Sequence, residues 1–257
     1  MRVLERPWGR MHWRADGEGP LVVYANSLGT DLRLWDALIP LLPGHRHLRY
    51  DKRGHGLSDL GGPHAVADLA DDAAALIEAA GGGPCVLVGL SVGGLIGQDL
   101  AHRRPDLLSA LVLVSTAARI GTREVWDARI AQAESQGLES LADGAMERWF
   151  SPAFRATPLL APWRAMLVRT PAAAWAATGR AIRDADYAAT DPGLRLPTLV
   201  VAGEADGATP PALVEATARL IPEARFHLVP GSGHLPPVEA PEATAALLRP
   251  FLAAHAR

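Results

Sequence analysis

The sequence lacks several features that mark particular classes of protein. It has one cysteine, Cys85, so no disulfide can form within the chain. Because Cys85 lies in the apolar run CVLVGL, we expect a buried thiol with a structural role. The chain also has no excess of positive charge, because it contains 25 Lys and Arg residues and 28 Asp and Glu residues, which give a formal net charge of -3. Binding to nucleic acid phosphates needs a basic surface, so nucleic acid is not an expected partner.

Long apolar runs are missing as well. Glu5, Arg6 and Arg10 interrupt the N-terminal segment, which therefore lacks a signal-peptide core, and no later run reaches membrane length. We expect a cytoplasmic protein that does not bind membranes. Its 257 residues, 49% hydrophobic and 21% charged, suit one soluble α/β domain with a modest insertion.

Short apolar runs alternate with longer amphipathic stretches, which is typical of a mostly parallel, doubly wound sheet in an α/β fold. We predict strands at 20–25, 46–50, 84–89, 108–115, 197–203 and 224–229. We predict helices near 31–42, 66–80, 92–103, 211–221 and 240–255. In such sheets the functional residues lie in loops beyond the carboxyl ends of the strands.

The alternation stops between about 119 and 190, where Ala, Trp and Arg recur at helical spacing. We predict a helical cap over 119–190, inserted into an α/β core formed by 1–118 and 191–257. Four of the seven tryptophans fall in this insertion: Trp126, Trp149, Trp163 and Trp175. Packing between small helices explains each ring more simply than contact with a substrate.

The segment Gly89-Leu90-Ser91-Val92-Gly93 matches the pattern G-x-S-x-G, with an apolar run before it and a helix-compatible run after it. A serine on so sharp a strand-to-helix turn has strained backbone geometry, which small neighbours such as Gly89 and Gly93 permit. Its hydroxyl lies at a helix N-terminus, where the dipole and the N–H group of Val92 favour developing negative charge. We therefore predict Ser91 as a nucleophile and Val92 as an oxyanion donor.

A serine nucleophile needs a general base, ordinarily histidine. His234 is the predicted base because it lies in a glycine-rich loop after the last apolar run. His227 is interpreted as a strand residue. The pair His45 and His47 has no carboxylate or cysteine beside it, so no metal site is predicted. Six histidines are interpreted as surface or strand-edge residues: His12, His45, His47, His64, His102 and His255.

The base in turn needs a carboxylate that fixes its tautomer. Asp206 follows the strand PTLVVAG and is the predicted acid, while Glu204 is the nearest rival, with a turn or surface role as its alternative. A second oxyanion donor is expected in the loop after PLVVYA, where we assign the N–H group of Leu28. The alternative is that Asn26 and Gly29 only form a turn there.

With these residues in place, the sequence resembles the α/β-hydrolase superfamily, and within it the 3-oxoadipate enol-lactonases of the β-ketoadipate pathway. The resemblance extends nearly end to end. It includes NSLGTDLRLWD (26–36), RYDKRGHGLSD (49–59), GLSVGGLIGQDLA (89–101), STAARIGTREVWDARI (115–130), ERWFSPAF (147–154), AIRDADY (181–187) and GEADGATPP (203–211). Lys52 departs from the pattern, since a small or polar residue is common at its position. Arg53, in the same segment, is interpreted as a structural anchor for backbone or carboxylate groups.

The resemblance implies hydrolysis of 3-oxoadipate enol-lactone to 3-oxoadipate through an acyl-enzyme, with no cofactor and no metal. The expected partner is thus a small lactone or ester. Its free carboxylate needs a cationic or donating contact, for which Arg148 and Trp149 are the first candidates. Arg183 is the second, although an ion pair with a neighbour such as Asp184 explains it more simply.

Three alternatives stay open from the sequence. The same triad serves general carboxylesterases and lactonases for other rings, and it serves carbon–carbon bond hydrolases of aromatic catabolism, which need a larger pocket. A ligand receptor on this fold is a third alternative, which the complete triad disfavours. Relatives that use an aspartate nucleophile are disfavoured more strongly, because Ser91 occupies that position.

Overall fold

The computed structural model describes residues 1–256, which are arranged around one eight-stranded β-sheet. The strands in chain order are β1 (Arg2–Arg6), β2 (Gly9–Asp16), β3 (Leu21–Ala25), β4 (Arg46–Tyr50), β5 (Cys85–Leu90), β6 (Leu108–Val114), β7 (Thr198–Gly203) and β8 (Arg225–Val229). Across the sheet they lie in the order β1-β2-β4-β3-β5-β6-β7-β8. β2 is antiparallel to β1 and β4, and the other neighbouring pairs are parallel.

The expected mostly parallel sheet is confirmed, with β3 to β8 at the positions that the apolar runs predict. β1 and β2 are absent from the prediction, because charged residues such as Glu5, Arg6 and Arg10 interrupt their apolar pattern. β1 is an edge strand with a largely exposed surface, so charged side chains are tolerated there.

The helices of the described residues are α1 (Val66–Ala79), α2 (Val92–Arg103), α3 (Arg123–Gln136), α4 (Glu139–Trp149), α5 (Pro152–Arg155), α6 (Leu160–Arg169), α7 (Ala172–Asp184), α8 (Pro211–Leu220), α9 (Pro236–Glu239) and α10 (Pro241–His255). The helix predicted near 31–42 is wrong: the chain forms two short 3-10 turns there, Leu32–Trp35 and Ile39–Leu41. Pro40 has no N–H group and clashes with a preceding turn, so it disfavours an unbroken α-helix across this segment.

Every residue of β3, β5 and β7 is buried, as expected for parallel strands covered on both faces. α2 packs on β3, β5 and β6, and Gly97 allows the close approach because a Cβ there would press against Leu111 and Leu87. Since β3, β5, β7 and β8 run in the same direction, the loops that follow them lie at one edge of the sheet. This edge is where the sequence places its candidate residues.

Between β6 and β7 the chain forms α3 to α7, with α3 packed against α7 and α4 against α6. These helices occupy the segment for which the sequence predicts a cap, and the division into 1–118 with 191–257 and 119–190 as separate units stays a prediction. None of the helices in the described part of the chain combines the length and apolar character that a membrane crossing requires.

Two histidines interpreted as surface or strand-edge residues are instead buried within the sheet. His12 Nδ1 lies 2.8 Å from Asp51 Oδ2. His47 Nδ1 lies 2.8 Å from the Tyr24 hydroxyl, and its Nε2 lies 2.8 Å from the carbonyl oxygen of Leu42. A polar ring is tolerated in a core when such partners satisfy it, and the sequence pattern alone does not reveal them.

Candidate active site

Ser91 lies between β5 and α2 in a strained backbone conformation, with φ 58° and ψ -118°. Its amide donates to the carbonyl oxygen of Val114, with N and O 3.0 Å apart. A Cβ atom at Gly89 would collide with the carbonyl oxygen of Gly93, and one at Gly93 would collide with that of Ala25. The two glycines are therefore required by close backbone approach, as the G-x-S-x-G pattern suggests.

His234 and Asp206 meet at the same edge of the sheet. His234 Nδ1 lies 2.8 Å from Asp206 Oδ2, and both side chains are almost wholly buried. Asp206 also accepts hydrogen bonds from the amides of Ala208 and Thr209, at 2.7 and 2.9 Å, and from the Thr209 hydroxyl at 2.7 Å. A carboxylate only accepts hydrogen bonds, so the ring nitrogen that faces Asp206, Nδ1, carries the proton of the neutral imidazole. Nε2 is then the basic nitrogen.

Glu204, the rival acid, has a different position. Its side chain is exposed, and its Oε2 accepts from the amide of Gly231 at 2.8 Å. This contact corresponds to the turn role that the sequence allows as its alternative.

Ser91 and His234 line one cavity, but a hydrogen bond between their side chains is not among the contacts of the described residues. Bonds of this kind are often long before substrate binds and tighten in the complex. The structure thus brings the three predicted triad residues to one site, with the His234–Asp206 contact formed.

The C-terminal end of α4 holds the loops of both Asp206 and His234. The amide of Gly207 donates to the carbonyl oxygen of Arg148 at 3.0 Å, and the amide of His234 donates to that of Trp149 at 2.7 Å. Helix α4 is therefore fixed to the loops that carry the acid and the base, and the side chains of its last two residues are placed at the cavity.

A half-buried carboxylate that sequence reasoning missed reinforces this junction. Glu239 accepts from the amide of Gly233 through Oε1 at 2.8 Å and from the amide of Ser151 through Oε2 at 3.1 Å. Burial raises the pKa of Glu239 above its ordinary value. It joins the loop of His234 to the segment after α4, and nothing in the local sequence pattern signals this role.

Of the two predicted oxyanion donors, Leu28 is a lining residue of the cavity and Val92 is not. Leu28 and Val92 are buried, Leu28 lines the cavity beside Ser91, and Val92 begins α2. In the described residues neither of their amides donates a hydrogen bond. Buried N–H groups are rarely left unpaired in proteins, so the amide of Leu28 beside the cavity favours a role toward a ligand. The amide of Val92 is free because the first N–H groups of a helix have no partner within it.

His55 supports the loop that contains Leu28. Its Nε2 accepts from the amide of Gly29 at 3.1 Å, while Nδ1 lies 2.9 Å from the carbonyl oxygen of Arg53. Burial, followed by the charge of Lys52, lowers the pKa of His55 well below its ordinary value. A neutral ring with the proton on Nδ1 is the form that makes both bonds.

The cavity itself is small, with a volume of about 60 Å³. Its lining side chains are Ser27, Leu28, Ser91, Ile120, Trp126, Arg129, Leu141, Ala145, Arg148, Trp149, Leu167, Trp175, Ile182, Ala208, Thr209 and His234. Among the tryptophans of the insertion, Trp126, Trp149 and Trp175 form part of this wall, whereas Trp163 packs against Phe150. Packing alone therefore accounts for one of the four rings.

Two arginines line the cavity without forming a salt bridge to any carboxylate of the described residues: Arg129 and Arg148. Arg129 also lies over the ring of Trp126, with its Cζ 5.6 Å from the centroid. Burial and the charge of Arg148 lower the pKa of Arg129 to about 10, and burial lowers that of Arg148. Both groups are therefore cationic at neutral pH.

Most of the other arginines of α3 to α7 form salt bridges with acids. Arg183 pairs with Asp127 and Asp184, at 2.6 and 2.8 Å, which confirms the structural interpretation of this residue. Sequence reasoning selected Arg148 but missed Arg129. Arg129 lies in STAARIGTREVWDARI (115–130), one of the segments that carry the resemblance, so the sequence contained a signal for it.

Other interpretations of single residues can be compared with the structure. Cys85 is buried and free, and Arg53 donates through Nε to Asp72 Oδ2 at 2.6 Å, so both structural roles are confirmed. Among residues 1–256, no cluster of three His, Cys, Asp or Glu side chains has the arrangement of a metal site.

Comparison with known proteins gives consistent matches. The sequence model that describes the alpha/beta hydrolase family matches residues 18–247 of this chain. The chain is 31% identical over 228 residues to 3-oxoadipate enol-lactonase 2 from Acinetobacter baylyi, a match that covers 87% of this chain and 85% of that protein. The enol-lactonase structure from Burkholderia xenovorans superposes with a TM-score of 0.94 at 35% identity, covering 98% of this chain and 100% of that one. A malate-bound esterase from Thermogutta terrifontis gives a TM-score of 0.91 at 30% identity, covering 97% and 95%.

Proposed function

Because the chain belongs to the alpha/beta hydrolase family, we propose that it opens a small lactone bearing a free carboxylate, namely 3-oxoadipate enol-lactone. The observation that carries this proposal is one cavity with Ser91 in its wall and two unpaired guanidinium groups, Arg129 and Arg148. The resemblance to enol-lactonases that the sequence indicates is confirmed by the matches to such proteins from two organisms.

The first half of the reaction forms an acyl-enzyme. Ser91 Oγ attacks the lactone carbonyl carbon while its proton passes to His234 Nε2, and Asp206 stabilises the imidazolium through Nδ1. The amides of Leu28 and Val92 bind the oxyanion of the tetrahedral intermediate. Its collapse breaks the bond to the ring oxygen, and His234 gives the proton that it took from Ser91 to the departing enolate, which becomes a ketone. Ketonisation removes the nucleophile that could close the ring again.

The second half releases the product. A water molecule loses a proton to His234 and attacks the acyl carbon, and a second tetrahedral intermediate returns the proton to Ser91 Oγ as the ester bond breaks. The product is the diacid 3-oxoadipate. Every proton transfer uses His234, and no cofactor enters the scheme.

The substrate carboxylate gives the two arginines their role. Entry into a largely apolar cavity removes water from this carboxylate, which costs free energy unless charged donors replace it. Arg148 supplies such a donor, Trp149 closes the wall beside it, and Arg129 adds a second guanidinium. Charge-assisted hydrogen bonds of this kind are the stronger class in proteins.

A general esterase with the same chemistry is the second candidate, favoured by the similarity to the Thermogutta terrifontis esterase. Its structure holds malate, a dicarboxylate, which suits a cavity with unpaired arginines. The small volume of the cavity disfavours a carbon–carbon bond hydrolase that acts on a ring-cleaved dienoate.

The test compares freshly generated 3-oxoadipate enol-lactone with a neutral nitrophenyl acetate as substrates. We expect wild type to prefer the lactone by kcat/KM and Ser91→Ala to abolish turnover of both. We expect Arg148→Met to lower kcat/KM on the lactone by about 100-fold and to leave the neutral ester within about 2-fold, because loss of a charged hydrogen bond costs about 1.5–3 kcal/mol.

Arg183→Met is the matched control, since Arg183 is a partly buried arginine of α7 that is already paired. It should leave both rates unchanged. Good turnover of the neutral ester with little of the lactone would assign the protein as a general esterase instead. No turnover of either would favour a ligand receptor.

A further inference from the structure

The segment after β4 holds the loop of Leu28 through a buried ammonium group. Of the 25 basic residues of the chain, Lys52 alone is a lysine and the other 24 are arginines. Its side chain is almost wholly buried. Lys52 Nζ donates to the carbonyl oxygens of Ser27 and Thr30, at 2.5 and 3.2 Å, so it joins the two ends of a four-residue stretch.

The first of these bonds constrains a neighbouring amide. The carbonyl of Ser27 and the N–H group of Leu28 belong to one peptide plane, and in a trans peptide they point in opposite directions. A bond that fixes the Ser27 oxygen toward Lys52 therefore turns the Leu28 N–H group away from it, and Leu28 lines the cavity. A positive charge on the oxygen side also polarises the peptide, which strengthens the N–H group as a donor.

Residues on the same segment support this orientation. His55 accepts from the amide of Gly29, and Asp51 Oδ1 accepts from the amide of Leu32 at 2.8 Å. Together with Lys52, these side chains fix the loop at points on both sides of Leu28. The amide of Leu28 itself donates to no group of residues 1–256 and is left for a ligand.

We propose that Lys52 is a positioning residue for the oxyanion site, whose ammonium group orients and polarises the peptide that presents the Leu28 amide to the transition state. The inference rests on the proposed acyl-transfer function of Ser91, though not on the identity of the lactone. The ammonium contacts no substrate atom in this scheme and acts through the Ser27–Leu28 peptide.

The charge of Lys52 depends on its surroundings. Burial lowers the pKa of Lys52 to about 7, and Asp51 and Asp31 oppose this by favouring the charged form. His55, the other titratable group that interacts with it, stays neutral in the same range. Loss of the proton as pH rises through this region weakens the hold on Ser27, so the oxyanion contact weakens over the same interval.

The experiment compares wild type with Lys52→Met and Lys52→Gln on neutral nitrophenyl acetate, with phenylboronic acid as a tetrahedral transition-state analogue. Removal of an oxyanion donor costs about 100- to 1000-fold in kcat, and misorientation of one donor should cost less. We expect kcat to fall about 10- to 50-fold with KM within 2-fold of wild type. The boronate Kd should rise by the same factor as kcat falls.

The pH dependence of kcat is a second measurement, and it would not differ between wild type and Lys52→Met if Lys52 only stabilised the fold. Wild-type kcat should decline as pH rises above about 7, and this decline should be absent from Lys52→Met. Equal kcat values for wild type and Lys52→Met, or a rise in KM alone, would overturn the proposal. Failure of the lactone assignment is distinguishable, because it leaves wild-type turnover of the neutral ester and the effect of Lys52→Met intact.

Discussion

The two walls of the cavity differ in how their charged groups are paired. On the wall at the sheet edge, Asp206 accepts from His234 and from both the backbone and hydroxyl of Thr209. On the wall formed by the helices between β6 and β7, Arg129 and Arg148 form no salt bridge with a carboxylate of residues 1–256. The charges of the first wall are paired within the chain, whereas those of the second are, in the proposed function, paired by the carboxylate of the substrate.

This difference separates chemistry from selectivity. Preorganised groups that stabilise developing charge act on any acyl substrate that reaches Ser91, so the sheet wall should not discriminate between substrates. Unpaired cations bind substrate and transition state alike when the substrate is an anion, and contribute nothing when it is neutral. Substitutions on the two walls should therefore produce different patterns across a charged and an uncharged substrate.

The largest effect is expected on the sheet wall, for Asp206→Asn. The amide keeps the shape of the carboxylate but favours the wrong tautomer of His234 and cannot stabilise its cation. The corresponding change in a serine protease lowers kcat by about 10⁴-fold, and we expect a similar loss here, equal within a few-fold for the lactone and for nitrophenyl acetate. Rates measured for both substrates check this.

Glu204→Gln provides the matched control, because Glu204 is an exposed acid two residues away that binds the amide of Gly231. It should leave kcat unchanged. A loss with Asp206→Asn that was confined to the lactone would break the distinction between the walls, since the acid would then act in substrate selection.

A smaller and more selective effect is expected on the helical wall, for Arg129→Met. Loss of one charged donor should lower kcat/KM on the lactone by about 30- to 100-fold and spare the neutral ester. If Arg129 and Arg148 bind one carboxylate, the double variant should lose less than the product of the two single losses, and a double-mutant cycle measures this coupling.

Arg164→Met is a suitable control, because Arg164 of α6 is already paired with Glu139 and Asp143. Fully additive losses for Arg129→Met and Arg148→Met would show instead that the two arginines contact separate parts of the substrate. Equal losses on the neutral ester would contradict a role in anion binding.

The two walls also differ in how far the sequence predicts them. The sheet wall depends on local chain geometry: a Gly-x-Ser-x-Gly turn places Ser91, and glycine-rich loops after β7 and β8 carry Asp206 and His234. Backbone requirements of this kind leave a pattern in the residues. Their catalytic roles stay a prediction, for which the geometry supplies support.

The helical wall depends on which faces of five helices meet, and single residues give little indication of that. Arg129 and Arg183 are both arginines on amphipathic helices, yet one lines the cavity and the other pairs with Asp127 and Asp184. The difference arises from tertiary packing. In the same way, the burial of His12 depends on its contact with Asp51, which is distant along the chain.

The smallest effect concerns Lys52, a cation behind the sheet wall that is bonded to carbonyl oxygens rather than to a carboxylate. Its pKa is lowered to about 7 in the folded protein from an ordinary 10.5, so between these values the unfolded chain binds a proton that the folded chain does not. Stability therefore rises with pH in this window. Wild type should gain about 2 kcal/mol relative to Lys52→Met between about pH 7 and 9, since two pH units allow about 2.7 kcal/mol at most.

Denaturant unfolding of both proteins at each pH measures this difference, and the effects of all other titrating groups cancel in the comparison. Over the same interval the activity of wild type is expected to fall, so stability and turnover should change in opposite directions. Such opposite changes are expected when a buried ammonium group destabilises the folded protein and also promotes the reaction. If the difference in unfolding free energy between wild type and Lys52→Met did not vary with pH, Lys52 would titrate as it does in water. Burial of its ammonium group would then not destabilise the folded protein.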